Sequence, residues 1–230
     1  MAAFHGAVSM GADAIEFDVH VTADGKPVVL HDYELARTTS GVGLVHERDL
    51  DYVRTLSAGR WFDGRYATES VPLLDEVLAL QGVDFELEVK GLPTAQLVSE
   101  IIDVVQRFGV ADRVQLTGHH HLALTAIHRQ VPRVRLGLFP PAYQDWMTDH
   151  LYQQIVQQTA LLGGFDVVHL RLPLLERVDV PGLQAAGLLV HAGDVNSAAE
   201  LTAASELGVD HLTTNDPRGA RRLLLDLARG

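Results

Sequence analysis

The sequence predicts an α/β protein of the TIM (β/α)8-barrel type, folded as a single domain over residues 1–230. Three observations predict it. From residue 84 onward, short β-rich runs alternate with helical segments at the spacing of parallel βαβ units. No linker, low-complexity stretch or break in composition interrupts the chain. Its 230 residues, 47% of them hydrophobic, suffice for one substantial core, and a barrel of this type takes ~250.

The elements follow in order. Residues 2–11, AAFHGAVSMG, read as a short helix stopped at Gly11. DAIEFDVHV alternates and is β-rich, so it reads as a strand; TADGKP is a turn, and VVLHD a second extended run. Residues 33–70 form a polar, glycine-containing insertion. VPLLDEVLALQG, starting at Pro72 and ending at Gly82, carries helix punctuation. Strands are expected at 84–90, 113–118, 134–139, 166–172, 188–193 and 210–216, with helical segments such as TAQLVSEIIDVVQRFG and SAAELTAASELG between most of them. That gives about seven strands where the barrel needs eight. The chain opens on a helix, so the strand missing from the count is the first.

Composition narrows the partners. Lys plus Arg is 18 and Asp plus Glu is 30, a formal charge of −12, which argues against nucleic acid or an anionic membrane surface. An anionic small substrate stays possible if a bound cation inverts the local field. No run reaches membrane-spanning length and no signal peptide opens the chain, so a cytoplasmic protein without stable membrane insertion is expected. Zero cysteines exclude a disulfide framework. Oligomeric state is not readable.

The chemistry lies in two strands. Residues two apart in a strand share a face. Glu16, Asp18 and His20 therefore oppose Ile15, Phe17, Val19 and Val21, while Glu86, Glu88 and Lys90 oppose Phe85, Leu87 and Val89. Strands of a parallel sheet are normally apolar on both faces. Taken alone, either strand's acids read as a solvated face, and a lone histidine as structural. Two such strands with His31 close behind favour a site at the C-terminal strand ends, where barrel active sites lie. Converging carboxylates call for a hard cation, and oxygen-only donors suit Mg²⁺ or Ca²⁺. Glu16, Asp18 and Glu88 are the candidate ligands, Lys90 the candidate partner of a substrate oxyanion, and His31 the candidate proton-transfer group.

These residues carry a resemblance. GADAIEFDVHVTADGKPVVLHDYELARTTSGVG (11–43) closely resembles the opening of the glycerophosphodiester phosphodiesterases, and VPLLDEVL, LEVK, GLLVHAGDVN and GVDHLTTNDP extend the match down the chain. The resemblance implies a TIM-type barrel that hydrolyses glycerophosphodiesters to an alcohol and glycerol 3-phosphate with a divalent cation. It implies Glu16, Asp18 and Glu88 as metal ligands, Lys90 as a phosphate contact and His31 as one of two acid–base histidines. It also implies that the insertion shapes the alcohol-side pocket, with Trp61 and Phe62 as lining candidates; the plainer alternative is that they fasten the insertion to the barrel.

The match departs in two places. Family members open with a strand ending His-Arg-Gly, followed by Pro-Glu-Asn-Thr, which supply the second histidine, a phosphate-binding arginine and a further ligand. This chain starts inside the region that should follow, and a misplaced or trimmed start is expected over decay. The alternative function is a catalytically impaired barrel that binds a glycerophosphodiester or metal without turnover. Where the family usually carries Trp-Thr, this chain has Gly193-Asp194, making Asp194 a candidate for contacting a cationic head group or a hydroxyl. Of the consecutive histidines 119–121, His119 is expected to face the site. His20 is a candidate partner of the carboxylates or a stand-in for the absent histidine.

Overall fold

The computed structural model describes residues 1–229. By its internal contacts the chain forms two compact units. One comprises Met1–Ser9 with Asp13–Val134; the other comprises Met10–Ala12 with residues from Arg135 onward.

The first unit runs α1 (Ala2–Ser9), β1 (Ala14–Val21), β2 (Pro27–Val29), α2 (Leu50–Thr55), α3 (Leu74–Leu78), β3 (Asp84–Val89), α4 (Ala95–Phe108), β4 (Val114–Thr117) and α5 (His121–Gln130). Its strands lie in the order β2-β1-β3-β4. β1, β3 and β4 are parallel, and β2 returns antiparallel on β1. The return is set by the TADGKP turn, where Gly25 takes φ +82° and the Thr22 hydroxyl accepts from Lys26 N at 2.8 Å. α4 shows how the helices are made: Thr94 caps Leu97 N, Gly109 ends the last turn at φ +64°, and Leu97, Ile101, Ile102, Val104 and Val105 form its buried stripe.

The helix expected from Pro72 begins two residues later and is only five residues long. Val29 N donates to Pro72 O at 2.8 Å, and Val28 bridges Leu73. Pairing with β2 thus keeps residues 72 and 73 extended. The 33–70 insertion is fastened by aliphatic packing of Leu35, Val45, Val53 and Leu56 against Val28, Leu30 and Val71. Trp61 and Phe62 take no part in that core.

The second unit runs β5 (Arg135–Leu138), α6 (Asp149–Gly163), β6 (Val167–Arg171), α7 (Leu172–Leu175), α8 (Val180–Ala185), β7 (Leu189–Gly193), α9 (Ala198–Glu206), β8 (His211–Leu212) and α10 (Pro217–Leu227). β5, β6, β7 and β8 pair in that order, all parallel. Every strand run expected from the sequence is present, so the chain has the α/β class and the parallel strand–helix order of a (β/α)8-type fold. α10, capped by Asp216 and opened by Pro217, adds a helix to those expected. No helix among the described residues is long and apolar enough to cross a membrane.

Candidate active site

Register creates the site. β1 and β3 pair with Glu16 opposite Glu86, Asp18 opposite Glu88 and Val19 opposite Val89. Parallel neighbours in register point the same way, so carboxylates stand side by side. On these faces Asp18, His20 and Glu86 are buried, whereas Glu16 is exposed. Glu16, Asp18 and Glu88 each offer an oxygen within 4.8 Å of the other two. Oxygens that far apart can share one ion at the ~2.0–2.6 Å bond lengths of Mg²⁺ or Ca²⁺. The donor set is all carboxylate, which fits such a hard cation.

Lys90, next along the same face, sits against two of the three: Nζ donates to Asp18 Oδ1 at 2.6 Å and to Glu88 Oε2 at 3.3 Å. Burial acts to lower its pKa, but the hydrogen bond and charge of Asp18, joined by Glu88, prevail and raise it. Burial pushes the Glu88 carboxyl up, and the Asp18 charge adds to this while Lys90 opposes it. Deeper on β3, burial pushes the Glu86 carboxyl up to about 8, with Glu16 and Glu88 contributing. This crowded, partly desolvated negative charge is what a divalent cation would relieve.

His31 follows β2 and is held from one side by a relay. Its Nδ1 donates to Asp32 Oδ1 at 2.6 Å. Arg37 clamps that carboxylate with two N–H groups, Nη2 lying 2.7 Å from Oδ1 and Nε bonding Oδ2. The Arg37 hydrogen bond holds the Asp32 carboxyl well below the usual range. Glu86, Asp32 and Arg37 are absent from the sequence-derived candidates. The signals available for them were the acid at every second position of DFELEV and the charged residues that bracket YELA after His31.

The remaining candidates have other neighbours. Trp61 and Phe62 are 56% and 70% exposed and meet edge to face at 5.8 Å, with the indole N–H donating to Ala58 O. His119, His120 and His121 line a groove between α4 and α5 with Ser99 and Asp103, and none of the carboxylate cluster borders it. In the second unit, Asp194 pairs with Arg171 at 3.0 Å at the ends of β7 and β6. Among the described residues it alone has positive φ without being glycine, at +59°, a conformation Asp tolerates better than most. A ladder of His169, His191 and His211 crosses β6, β7 and β8 in register, and the first two rings stack at 4.3 Å.

Known proteins resemble this chain in sequence and in fold. The sequence profile of the glycerophosphoryl diester phosphodiesterase family matches residues 1–218. The chain is similar to the glycerophosphodiester phosphodiesterase of Caldanaerobacter subterraneus subsp. tengcongensis, 28% identical over 222 residues that cover 94% of this chain and 88% of that protein. It is also similar to the Bacillus subtilis glycerophosphodiester phosphodiesterase, 29% identical with 93% and 77% covered. An Oleispira antarctica phosphodiesterase, solved with its product sn-glycerol-3-phosphate, superposes with a TM-score of 0.84 at 23% identity, covering 97% of this chain and 89% of that one. Glycerophosphodiester phosphodiesterase from Agrobacterium tumefaciens gives 0.78 at 24%, covering 94% and 90%. A profile matched from the first residue to α10, on a chain whose β1 and β3 bring an acidic cluster and a lysine together, leads to one conclusion: the chain belongs to the glycerophosphoryl diester phosphodiesterase family.

Proposed function

We propose that the protein hydrolyses glycerophosphodiesters to an alcohol and glycerol 3-phosphate, using a divalent cation, Mg²⁺ or Ca²⁺, held by Glu16, Asp18 and Glu88. The observation that carries this reading is the β1–β3 register, which gathers three carboxylate oxygens within 4.8 Å with Lys90 against two of them. The names of the relatives and the product bound to the Oleispira enzyme support the substrate class.

In the reaction a water oxygen bonds to phosphorus and the bond from phosphorus to the alcohol oxygen breaks. The cation, when bound, neutralises charge on the phosphoryl oxygens. The Lys90 ammonium donates to the same phosphoryl group as charge builds. His31 moves a proton at Nε2, taking it from the water or giving it to the leaving alkoxide, while Asp32 keeps Nδ1 engaged. Trp61 is assigned to the alcohol portion, as an apolar wall. The substrate is a small molecule, and a cytoplasmic location fits a water-soluble one.

The test is release of glycerol 3-phosphate from glycerophosphocholine. Turnover should stop with excess EDTA and return with added Mg²⁺ or Ca²⁺. His31→Ala should lower kcat by about 10²–10⁴-fold, and Glu16→Ala and Glu88→Ala should raise the cation requirement. Undiminished turnover in chelator would reject the metal assignment, and a fully active His31→Ala would reject the proton-transfer one.

A further inference from the structure

His20 lies two residues beyond Asp18 on the same face of β1, yet it is 2% exposed and no ligand atom of the carboxylate cluster is its partner. Its ring lies between backbone segments on the two sides of β1. On one side, Nε2 lies 3.2 Å from the carbonyl oxygen of His31. A carbonyl only accepts, so Nε2 carries the proton and donates. On the other side is Gly91, the residue after Lys90. A Cβ built on it would fall 2.8 Å from His20 Nδ1 and 3.5 Å from the His20 Cα, and its φ of +63° is one that side chains other than glycine's rarely adopt.

Tyr33 closes the arrangement. Its ring meets the His20 ring edge to face at 5.1 Å and 87°, and its hydroxyl reaches Gly91 O at 3.5 Å. The strand hydrogen bonds stop at these segments: Leu30 N donates to Asp18 O and Lys90 N to Val19 O, each at 3.0 Å. Past these last bonds, the His20 ring lies between the His31 carbonyl on one side of β1 and Gly91 on the other. His31 needs such a fixture, since 63% of its side chain is exposed and cannot rely on surrounding packing.

We propose that His20 is a positioning residue, joining the His31 segment to the Lys90–Gly91 segment so that the imidazole and the ammonium keep a fixed spacing across β1. This rests on the hydrolytic reading for its effect on rate, but the mechanical claim stands on its own contacts. It also assigns His20 no proton-transfer step, because its donor nitrogen is engaged by backbone.

Two variants and two readouts test it. His20→Leu keeps an apolar side chain of similar reach and removes the donor, whereas His20→Gln carries an amide N–H at about the place of Nε2. Hydrogen exchange followed by mass spectrometry should show peptides spanning 29–33 and 89–92 exchanging faster in His20→Leu and near the wild-type rate in His20→Gln, with both melting cooperatively. Glycerophosphocholine turnover should show kcat lowered about 10–100-fold in His20→Leu with KM little changed, and restored to within a few-fold by His20→Gln. Unchanged exchange in His20→Leu overturns the proposal, as does wild-type kcat in that variant or an equal loss of kcat in both. If the wild-type protein itself fails to turn over, the hydrolytic reading fails, and the exchange data still decide whether His20 joins the two segments.

Discussion

An imidazole that moves a proton must hold one tautomer and one orientation, and a largely exposed His31 has little packing to impose either. Asp32 and Arg37 supply both. Arg37 keeps Asp32 ionised, and the ionised carboxylate accepts from Nδ1, leaving Nε2 as the nitrogen that faces chemistry. Asp32→Asn preserves the shape but offers His31 a weaker acceptor or, if flipped, a donor. It should lower kcat about 10–100-fold while leaving divalent-cation affinity by calorimetry unchanged. Arg37→Ala should do the same to a smaller extent, because the exposed guanidinium acts only through Asp32. Wild-type kcat in Asp32→Asn would remove the relay from the mechanism.

At the level of elements, what was legible was local. Alternation in AIEFDVHV and DFELEV gave both strands, their faces and the ligand candidates, because side-chain period needs no partner to be read. TAQLVSEIIDVVQRFG reads as a helix on equally local grounds, and the structure caps it at Thr94 and ends it at Gly109. Register was not legible. Asp18 and Glu88 are 70 positions apart, and only pairing of the folded strands sets them side by side. The shortened α3 failed likewise, since β2 captures Pro72 O from 43 residues away. α10 hid its start behind Gly219 in the first turn, a residue that reads as a breaker. The histidine ladder also comes from register, and it carries a pH prediction. Burial, then His211, pushes His191 down to about 3, and burial with His191 and His211 lowers His169. A histidine depressed from its ordinary ~6.5 takes up its proton in the unfolded chain first. Its contribution is therefore complete above ~6.5 and is lost as pH falls towards 3. For His191 this amounts to up to about 2 kcal/mol between pH 7 and pH 5. Denaturant melts should show wild type losing more stability over that interval than His191→Gln, and equal losses would show that the ladder does not govern acid sensitivity.

For the molecule as a whole, the deciding quantity is charge. A chain of formal charge −12 that gathers Glu16, Asp18, Glu86 and Glu88 on two adjacent strands works against its own folding. Lys90 offsets part of this within the cluster, but a single ammonium cannot match three carboxylates. A divalent cation that binds only the folded arrangement should therefore act as a folding ligand, independently of turnover. At a concentration a hundredfold above its Kd, such a ligand stabilises by about 2.7 kcal/mol, which in a chain of this length raises Tm by roughly 5–10 °C. Sodium chloride at matched ionic strength screens the general repulsion but cannot bridge the carboxylates, so its shift should be smaller. The excess due to Mg²⁺ or Ca²⁺ should vanish in Glu88→Gln, which keeps the shape of the side chain and removes one anionic donor. If sodium chloride matches the divalent shift, or if Glu88→Gln retains it in full, the acids on β1 and β3 are not a cation site, and their crowding would have to be relieved by Lys90 and protonation alone.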